Sequence, residues 1–312
     1  MPADILIAAE LRELLPDTPV PAHTVEWLPA EAPTPAGPYV AIVPLLSRRI
    51  AEPELDALPQ LKVVANCAVG VDNVDLDAAN RRGIIVTNTP EVLTEATADL
   101  TWALILAVAR RLKEGQVLVA EGGWTGWHPT QLLGLELNGS TLGIVGAGRI
   151  GQAVARRAAA FAMRILYADV SARPELEAET GARRVSLTQL LEESDVVTLH
   201  TPSTAETRGM FDHECFNRMR AGSIFINTAR GDLVDEAALL AALDAGKLAG
   251  VGLDVFPQEP SVHPALVAHP RVVTLPHIGS ATTHTRHAMA NLAVRNVRAV
   301  LAGEPPLTPV LR

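Results

Sequence analysis

The sequence predicts an α/β protein of two domains, each organised on a parallel sheet, the second of them doubly wound. Three observations carry that expectation. The chain is 312 residues long, beyond the length at which a single hydrophobic core stops growing. Short β-rich runs alternate with segments of helical length along most of it. Near the middle, Gly146-Ala147-Gly148-Arg149-Ile150-Gly151 joins an apolar run to a helical one.

The first β-rich runs are Ile5 to Ala8, Tyr39 to Val43, Leu61 to Ala65 and Ile84 to Thr87. Pro29 to Pro38 reads as a loop, and Gly70 and Gly83 punctuate the later units. From Glu95 to Leu112 the chain is apolar nearly all round, which predicts a buried helix with Thr94 as its N-cap and marks the passage between domains. Gly122 to Pro129 is expected to be irregular. Six further strands follow, at Leu142 to Val145, Ile165 to Ala168, Val196 to Leu199, Ile224 to Asn227, Val251 to Val255 and Val272 to Leu275, with helical segments between most of them. Six strands alternating with helices match a doubly wound sheet, whose ligands lie at the carboxyl ends of the strands. The last element is a helix from an N-cap at Ser280 to Gly303, with Met289, Leu292, Ala293, Val297, Val300 and Leu301 on one stripe, expected to return to the first domain.

Composition removes several function classes. The chain is 48% hydrophobic, 4% aromatic and 20% charged, as expected of a globular protein rich in small aliphatic residues. With 26 Lys and Arg against 35 Asp and Glu, the net charge of -9 repels nucleic acid on average. Met1-Pro2-Ala3-Asp4 has no basic leader character, and the apolar stretch from Trp102 to Ala109 stops at Arg110-Arg111, too short for a bilayer. No nucleic acid and no membrane are therefore expected, and the cytoplasm is the default location. Cys67 and Cys215 are the two cysteines, without a CxxC pair, which supports neither a disulfide framework nor a thiolate metal site. His284 and His287 share a helix face near His277, but no carboxylate or thiolate completes a ligand set at a recognised spacing, so no metal is expected.

The glycine turn carries the first chemistry. In GxGxxG between a strand and a helix, Gly146 permits the tight turn, Gly148 admits a pyrophosphate against the backbone, and Gly151 lets the helix pack on the strand. Arg149 and Ile150 open that helix, whose N-terminal amides point at the phosphates. Asp169 ends the next strand 18 residues after Gly151, where a carboxylate accepts hydrogen bonds from the adenosine ribose hydroxyls. A 2′-phosphate about 4 Å from that carboxylate meets repulsion of roughly 4 kcal/mol at an effective dielectric of 20, less with solvent screening. NAD(H) is therefore expected over NADP(H), with Arg149 and Arg173 as nearby cations that soften the choice.

Three polar residues fall at or just beyond strand ends in the second series: Arg230, Glu259 and His277. Singly, each is more often a surface ion pair, a solvated carboxylate or an ordinary histidine. Their surroundings are more specific. Asn227-Thr228-Ala229-Arg230-Gly231-Asp232, Gly252-Leu253-Asp254-Val255-Phe256 with Glu259-Pro260, and Pro276-His277-Ile278-Gly279-Ser280-Ala281-Thr282 resemble the three signature segments of the D-2-hydroxyacid dehydrogenase family. The resemblance extends through Val69-Gly70-Val71-Asp72-Asn73 and Trp124-Thr125-Gly126-Trp127-His128-Pro129, and the ending from His277 to Pro305 is most similar to glyoxylate and hydroxypyruvate reductases.

That resemblance implies a Rossmann NAD-binding domain over residues 95–280 and a flavodoxin-like substrate domain over 1–94 plus 281–312, with a catalytic cleft at their junction and hinges near Thr94 and Gly279. It implies a homodimer built through the nucleotide domain, with Glu121 to Gly139 as a contact. Arg230 then holds the substrate carboxylate with its planar guanidinium and polarises the adjacent carbonyl. His277 acts as general acid in reduction and base in oxidation, and Glu259 fixes its tautomer and keeps it loaded with a proton near neutrality. The amides of Val69 and Gly70 are the second carboxylate clamp, and Leu45 lines the substituent pocket. Thr97, Thr228, Asp254 and Gly279 lie near the cofactor, Asp254 at the nicotinamide carboxamide, while His200 is structural. The expected reaction is NADH-dependent reduction of glyoxylate to glycolate or hydroxypyruvate to D-glycerate. The alternatives are a D-lactate or compact phosphoglycerate dehydrogenase, or a nicotinamide-sensing, corepressor-like interaction protein. The chain departs from animal relatives at Asp169, where they carry basic or hydroxyl residues, and at Gln131, where they carry a Trp. No extension after Arg312 argues against the longer phosphoglycerate dehydrogenases.

Overall fold

The computed structural model describes residues 4–310, so the expectations drawn on residues 1–3 and 311–312 lie outside the described residues. In chain order the elements are β1 (Ile5–Ala8), β2 (Val25–Leu28), β3 (Ala41–Val43), α1 (Glu52–Asp56), β4 (Val63–Ala65), α2 (Leu76–Arg81), β5 (Ile85–Thr87), α3 (Thr94–Ala109), α4 (Leu112–Ala120), β6 (Thr141–Val145), α5 (Arg149–Ala160), β7 (Arg164–Ala168), α6 (Pro174–Thr180), β8 (Arg183–Arg184), α7 (Leu187–Glu193), β9 (Val196–Leu199), α8 (His213–Arg218), β10 (Ser223–Asn227), α9 (Glu236–Asp244), β11 (Leu248–Leu253), α10 (Pro264–Ala268), β12 (Val272–Thr274) and α11 (Thr283–Leu301). They divide into two units. One comprises the described residues up to Leu93 and from Ser280 onward, and the other is Thr94–Gly279.

The first unit has a five-stranded sheet in the order β2-β1-β3-β4-β5, every pair parallel. This is the flavodoxin-like order. Its core joins Leu6, Ile42 and Val64 of the sheet to Leu55 and Ala78 of the helices. The helix α11 packs on β3 and β4, burying Met289, Ala290, Ala293, Val294 and Val297. Leu292, Val300 and Leu301 of the expected stripe are only partly buried, and Ala290, Val294 and Ala299 take the buried places instead.

The second unit has a seven-stranded sheet in the order β12-β11-β10-β9-β6-β7-β8, again all parallel. Counted from β6, that order is 3-2-1-4-5-6 with one added strand, the doubly wound dinucleotide-binding arrangement. Helices cover both faces, so β6, β9 and β10 are buried at every residue and read as largely apolar runs rather than alternating ones. One face packs on α3 and α5, where Trp102 stacks on Phe161 at 4.4 Å and donates its indole N–H to the Val154 carbonyl at 3.1 Å. The other face packs on α7, α8 and α9 around Phe211, Phe216 and Phe225.

Several expected boundaries move. β2 and β8 are edge strands with weak apolar character, Val-Glu-Trp-Leu and Arg-Arg, and gave no strand signal. The helix expected to Leu112 stops at Ala109, because Arg111 takes a left-handed conformation with φ 52° and its guanidinium turns onto Glu114 at the start of α4. One stripe of α3, Glu95, Asp99 and Ala103, is exposed, so the helix is not covered all round. Thr94 is its first residue rather than its N-cap. At the last helix the cap is Thr282, not Ser280, since it is the Thr282 hydroxyl that accepts the Thr285 amide at 3.1 Å.

Candidate active site

The turn after β6 has the geometry its glycines require. Gly146 has φ 91°, and a Cβ there would lie 2.8 Å from the His200 backbone at the end of the neighbouring β9. A Cβ on Gly151 would stand 2.2 Å from the Gly146 carbonyl oxygen, so only glycine lets α5 lie this close to the strand. At Gly148 the result is the opposite: a Cβ would meet nothing within 4 Å. That position therefore opens onto free space beside the N-terminus of α5, which Gly148 caps and Arg149 begins. Ile150 packs its side chain into the core beneath. These features fit a pyrophosphate lying against the backbone, with the helix amides as donors.

Asp169 follows β7 and closes the turn from the other side. Its Oδ2 accepts the Ala147 amide at 2.8 Å, its Oδ1 accepts the Ser171 amide at 2.9 Å, and Arg173 Nη2 reaches both oxygens at 3.2 and 3.3 Å. Burial raises its pKa, but the two backbone donors and the Arg173 charge outweigh it, and the carboxyl stays ionised below its ordinary range. The Arg173 Nε is buried without a partner.

Beyond β10, Asn227 shapes the turn that presents Arg230: its Oδ1 accepts the Ala229 amide at 3.0 Å and its Nδ2 donates to the Arg230 carbonyl at 2.7 Å. Thr228 is buried against Thr101, hydroxyl to hydroxyl at 2.9 Å, and Thr101 donates to the carbonyl of Thr97. Gly231 is packed so closely that a Cβ would fall 1.9 Å from the Phe256 carbonyl carbon. The Arg230 turn thus rests on the turn that carries Glu259, and the Arg230 charge helps hold the Glu259 carboxyl ionised.

Glu259 Oε2 lies 2.7 Å from His277 Nδ1, and Oε1 accepts the Phe256 amide at 3.0 Å. Desolvation raises the Glu259 pKa, but the His277 bond, the Phe256 amide and the charges of His277 and Arg230 bring it below the ordinary glutamate range. His277 has a positive φ of 54°, and the strained turn is held by Asp254. The Asp254 carbonyl accepts the His277 amide at 2.9 Å, and its two carboxylate oxygens accept the amides of Ile278 and Gly279 at 2.8 Å each. Burial pushes the Asp254 carboxyl up against those donors. Gly279 brings the chain within contact of Asp254 and Thr97.

His200, at the carboxyl end of β9, shares a hydrogen bond with Thr198 through Nε2 at 3.0 Å, leaves Nδ1 without a partner, and is pushed down to about 3 by desolvation. Its ring is neutral. In the first unit, Leu45, Val69 and Gly70 are partly buried and lie in one loop cluster. Asn66 Nδ2 donates to the Gly70 carbonyl at 2.9 Å and to Asn73 Oδ1 at 3.1 Å, Asn73 Nδ2 donates to the Leu45 and Arg48 carbonyls, and Asn88 Nδ2 donates to the Val69 carbonyl at 2.8 Å. The N–H groups of Val69 and Gly70 donate to none of the described residues. Cys67 beside them is buried and its thiol is pushed up to about 12 by desolvation, which makes it inert. His287 is engaged with the Leu14 carbonyl at 2.9 Å.

The sequence did not single out Asn66, Asn88, Thr101 or the structural use of Asn73, Asn227 and Asp254. Asn73 and Asn227 lie inside the segments that resemble the family, and a polar residue next to a glycine turn is the available signal. Nothing in the spacing says which backbone groups such a side chain holds.

Comparison with known proteins agrees with this geometry. Residues 102–279 match the family model "D-isomer specific 2-hydroxyacid dehydrogenase, NAD binding domain". The chain is 50% identical over 276 residues to a glyoxylate reductase of Thermococcus onnurineus, covering 87% of this chain and 83% of the relative. Among solved structures, a protein of Thermus thermophilus aligns with a TM-score of 0.88 at 46% identity, covering 98% of this chain and 99% of that one. An NADPH-dependent glyoxylate/hydroxypyruvate reductase of Sinorhizobium meliloti, in complex with NADP and malonate, aligns with a TM-score of 0.87 at 36% identity, covering 99% and 96%. The chain belongs to the D-isomer-specific 2-hydroxyacid dehydrogenase family.

Proposed function

We propose that this enzyme reduces small 2-oxo acids with NADH, glyoxylate to glycolate or hydroxypyruvate to D-glycerate. The observation that carries the reading is the Glu259 to His277 pair at 2.7 Å, built against the Arg230 turn. The roughly 50% identity to glyoxylate reductases supports the choice of acid.

When bound, the reduced nicotinamide supplies a hydride to the carbonyl carbon. The Arg230 guanidinium binds the substrate carboxylate and draws charge toward the carbonyl oxygen. His277 donates its Nε2 proton to that oxygen as negative charge develops, while Nδ1–H stays bonded to Glu259. Glu259 remains ionised and so stabilises the imidazolium before the transfer. Asp254, by holding the Ile278 and Gly279 amides, keeps the His277 turn in place. The amides of Val69 and Gly70 bind the carboxylate, and Leu45 lines the substituent pocket. Gly146, Gly148, Arg149, Ile150 and Gly151 hold the pyrophosphate side, with Thr97, Thr228 and Gly279 lining the nicotinamide side.

Asp169 makes NADH the preferred donor, since its ionised carboxylate accepts the ribose hydroxyls and repels a 2′-phosphate. Arg173, already paired with that carboxylate, reduces the repulsion. The working form is a homodimer in the cytoplasm. The support for the dimer is an exposed apolar surface on α4 and the segment after it, with Trp127 84%, Leu133 66%, Val119 62% and Trp124 55% exposed. No helix among the described residues is long and apolar enough to cross a membrane.

The test is a panel of glyoxylate, hydroxypyruvate, pyruvate and phosphonooxypyruvate, each with NADH and with NADPH. Fast NADH turnover of the first two supports the proposal. Preference for pyruvate or phosphonooxypyruvate would indicate the D-lactate or phosphoglycerate type, and nucleotide binding without turnover would indicate a sensing protein.

A further inference from the structure

On the reading that the Val69 and Gly70 amides bind the substrate carboxylate, their aim is set at the other end of each peptide. A trans peptide is rigid and planar, with C=O and N–H pointing in opposite directions. The Gly70 N–H therefore shares a plane with the Val69 carbonyl, and the Val69 N–H with the Ala68 carbonyl. Both carbonyls are held by consecutive residues just after β5. Asn88 Nδ2 donates to Val69 at 2.8 Å, and the Thr89 amide donates to Ala68 at 2.8 Å.

Residue 88 is in turn fixed by the segment that follows α11. The Thr308 hydroxyl donates to the Asn88 carbonyl at 2.7 Å, and the Asn88 amide donates to the Thr308 carbonyl at 3.3 Å. Asn296, fully buried in α11, fixes Thr308. Its Oδ1 accepts the amides of Leu307 and Thr308 at 2.9 and 3.1 Å, and its Nδ2 donates to Leu292 O at 3.0 Å and to Thr308 Oγ1 at 2.8 Å. All four hydrogen-bonding capacities of the carboxamide are used, which is what a buried Asn in a helix requires. Val310 continues the contact by donating to the Val86 carbonyl at 2.9 Å, and Pro309 bridges Thr87 at the free edge of β5.

We propose that residues 307–310 are a strap that aims the carboxylate-binding amides, through the series Asn296, Thr308, Asn88 and the Val69 peptide. Asn88, Thr308 and Asn296 are positioning residues for the 2-oxo acid. None of them touches it. Because a carboxylate contact is made equally in the ground and transition states, misaiming it raises KM and leaves kcat nearly unchanged.

The experiment compares full-length Thr308→Val, Thr308→Ser, Asn88→Ala and Gly70→Pro, the last deleting one donor outright. It measures KM and kcat for glyoxylate at saturating NADH, inhibition by oxamate as an unreactive carboxylate analogue, and NADH affinity by fluorescence. Thr308→Val should raise the glyoxylate KM and the oxamate Ki about fivefold, and Asn88→Ala about tenfold, as expected for weakening a hydrogen bond to a charged group. In both, kcat and NADH affinity should stay within about twofold, and Thr308→Ser should restore KM. If Gly70→Pro raises KM while Asn88→Ala and Thr308→Val do not, the amides bind the acid but the strap does not aim them, and the proposal is overturned. If all three leave KM unchanged, the carboxylate reading itself fails and the strap falls with it. A drop in kcat alone, or a loss that Thr308→Ser does not recover, also contradicts the proposal.

Discussion

The carboxylate of Glu259 is fixed at both oxygens, one on His277 Nδ1 at 2.7 Å and the other on the Phe256 amide at 3.0 Å, so the imidazole it holds has one orientation. Replacing the charge while keeping the shape separates orientation from electrostatics. Glu259→Gln should lower kcat by about 10²-fold, within the range for general acid catalysis, with little change in NADH affinity. The same pair sets a pH dependence of stability. Because the native pKa of Glu259 is lowered, its contribution is complete above the ordinary glutamate range and is lost as pH falls through the lowered native value. Denaturant unfolding from about pH 7 to about pH 3 should show wild type more stable than Glu259→Gln at the upper end, the gap closing toward the lower. A gap that widens with acid would reverse the sign.

Two glycines in one turn should respond differently to the same methyl group. Gly151→Ala places a Cβ against the Gly146 carbonyl, which costs on the order of 1–3 kcal/mol and lowers Tm. Gly148→Ala enters open space, so Tm should be unchanged while NADH binding weakens by about tenfold or more, because the pyrophosphate loses its approach to the backbone. Calorimetry and NADH titration check both. Equal Tm losses in the two variants would contradict the open position at Gly148.

Asp169 holds Ala147 and Ser171 in place and pairs with Arg173. Asp169→Ser removes the charge that opposes a 2′-phosphate and releases Arg173 to meet it. The ratio of kcat/KM with NADPH to that with NADH should rise by at least about tenfold. An unchanged ratio would show that dinucleotide choice is made elsewhere.

Trp127 is the most exposed aromatic side chain on the apolar surface around α4. Trp127→Glu should shift the protein from dimer to monomer in light scattering, since a buried unpaired carboxylate is strongly unfavourable at an interface. A wild-type protein that is already monomeric at assay concentration would remove the proposed dimer.

The two parallel sheets were legible because strands covered by helices on both faces are buried at every residue and so are apolar along most of their length, as β6, β9 and β10 are, with Thr141, Thr198, Ser223 and Asn227 as their buried polar exceptions. The glycine turn was legible for a related reason, as Gly146 and Gly151 answer steric demands of the strand-to-helix packing that their spacing expresses, while Gly148 leaves open space beside the helix N-terminus. The edge strands were not. β8 is Arg-Arg and exposed, so pairing with β7 rather than side-chain burial defines it. The break at Arg111 depends on a left-handed residue that apolar periodicity cannot reveal. In the site, Arg230, Glu259 and His277 stood out by motif. The role of Asp254 in holding the His277 turn did not, because it concerns which backbone amides a buried carboxylate receives, a matter of three-dimensional closure. The same holds for the backbone carbonyls that Asn66, Asn73 and Asn88 hold around Val69 and Gly70.

Whether His277 supplies the proton is decided by single-turnover reduction of glyoxylate by NADH-loaded His277→Ala. With the proton donor removed, NADH affinity should stay within about twofold of wild type and NADH oxidation should slow by about 10²- to 10⁴-fold. A variant that binds NADH normally and reduces glyoxylate within about tenfold of the wild-type rate would contradict it.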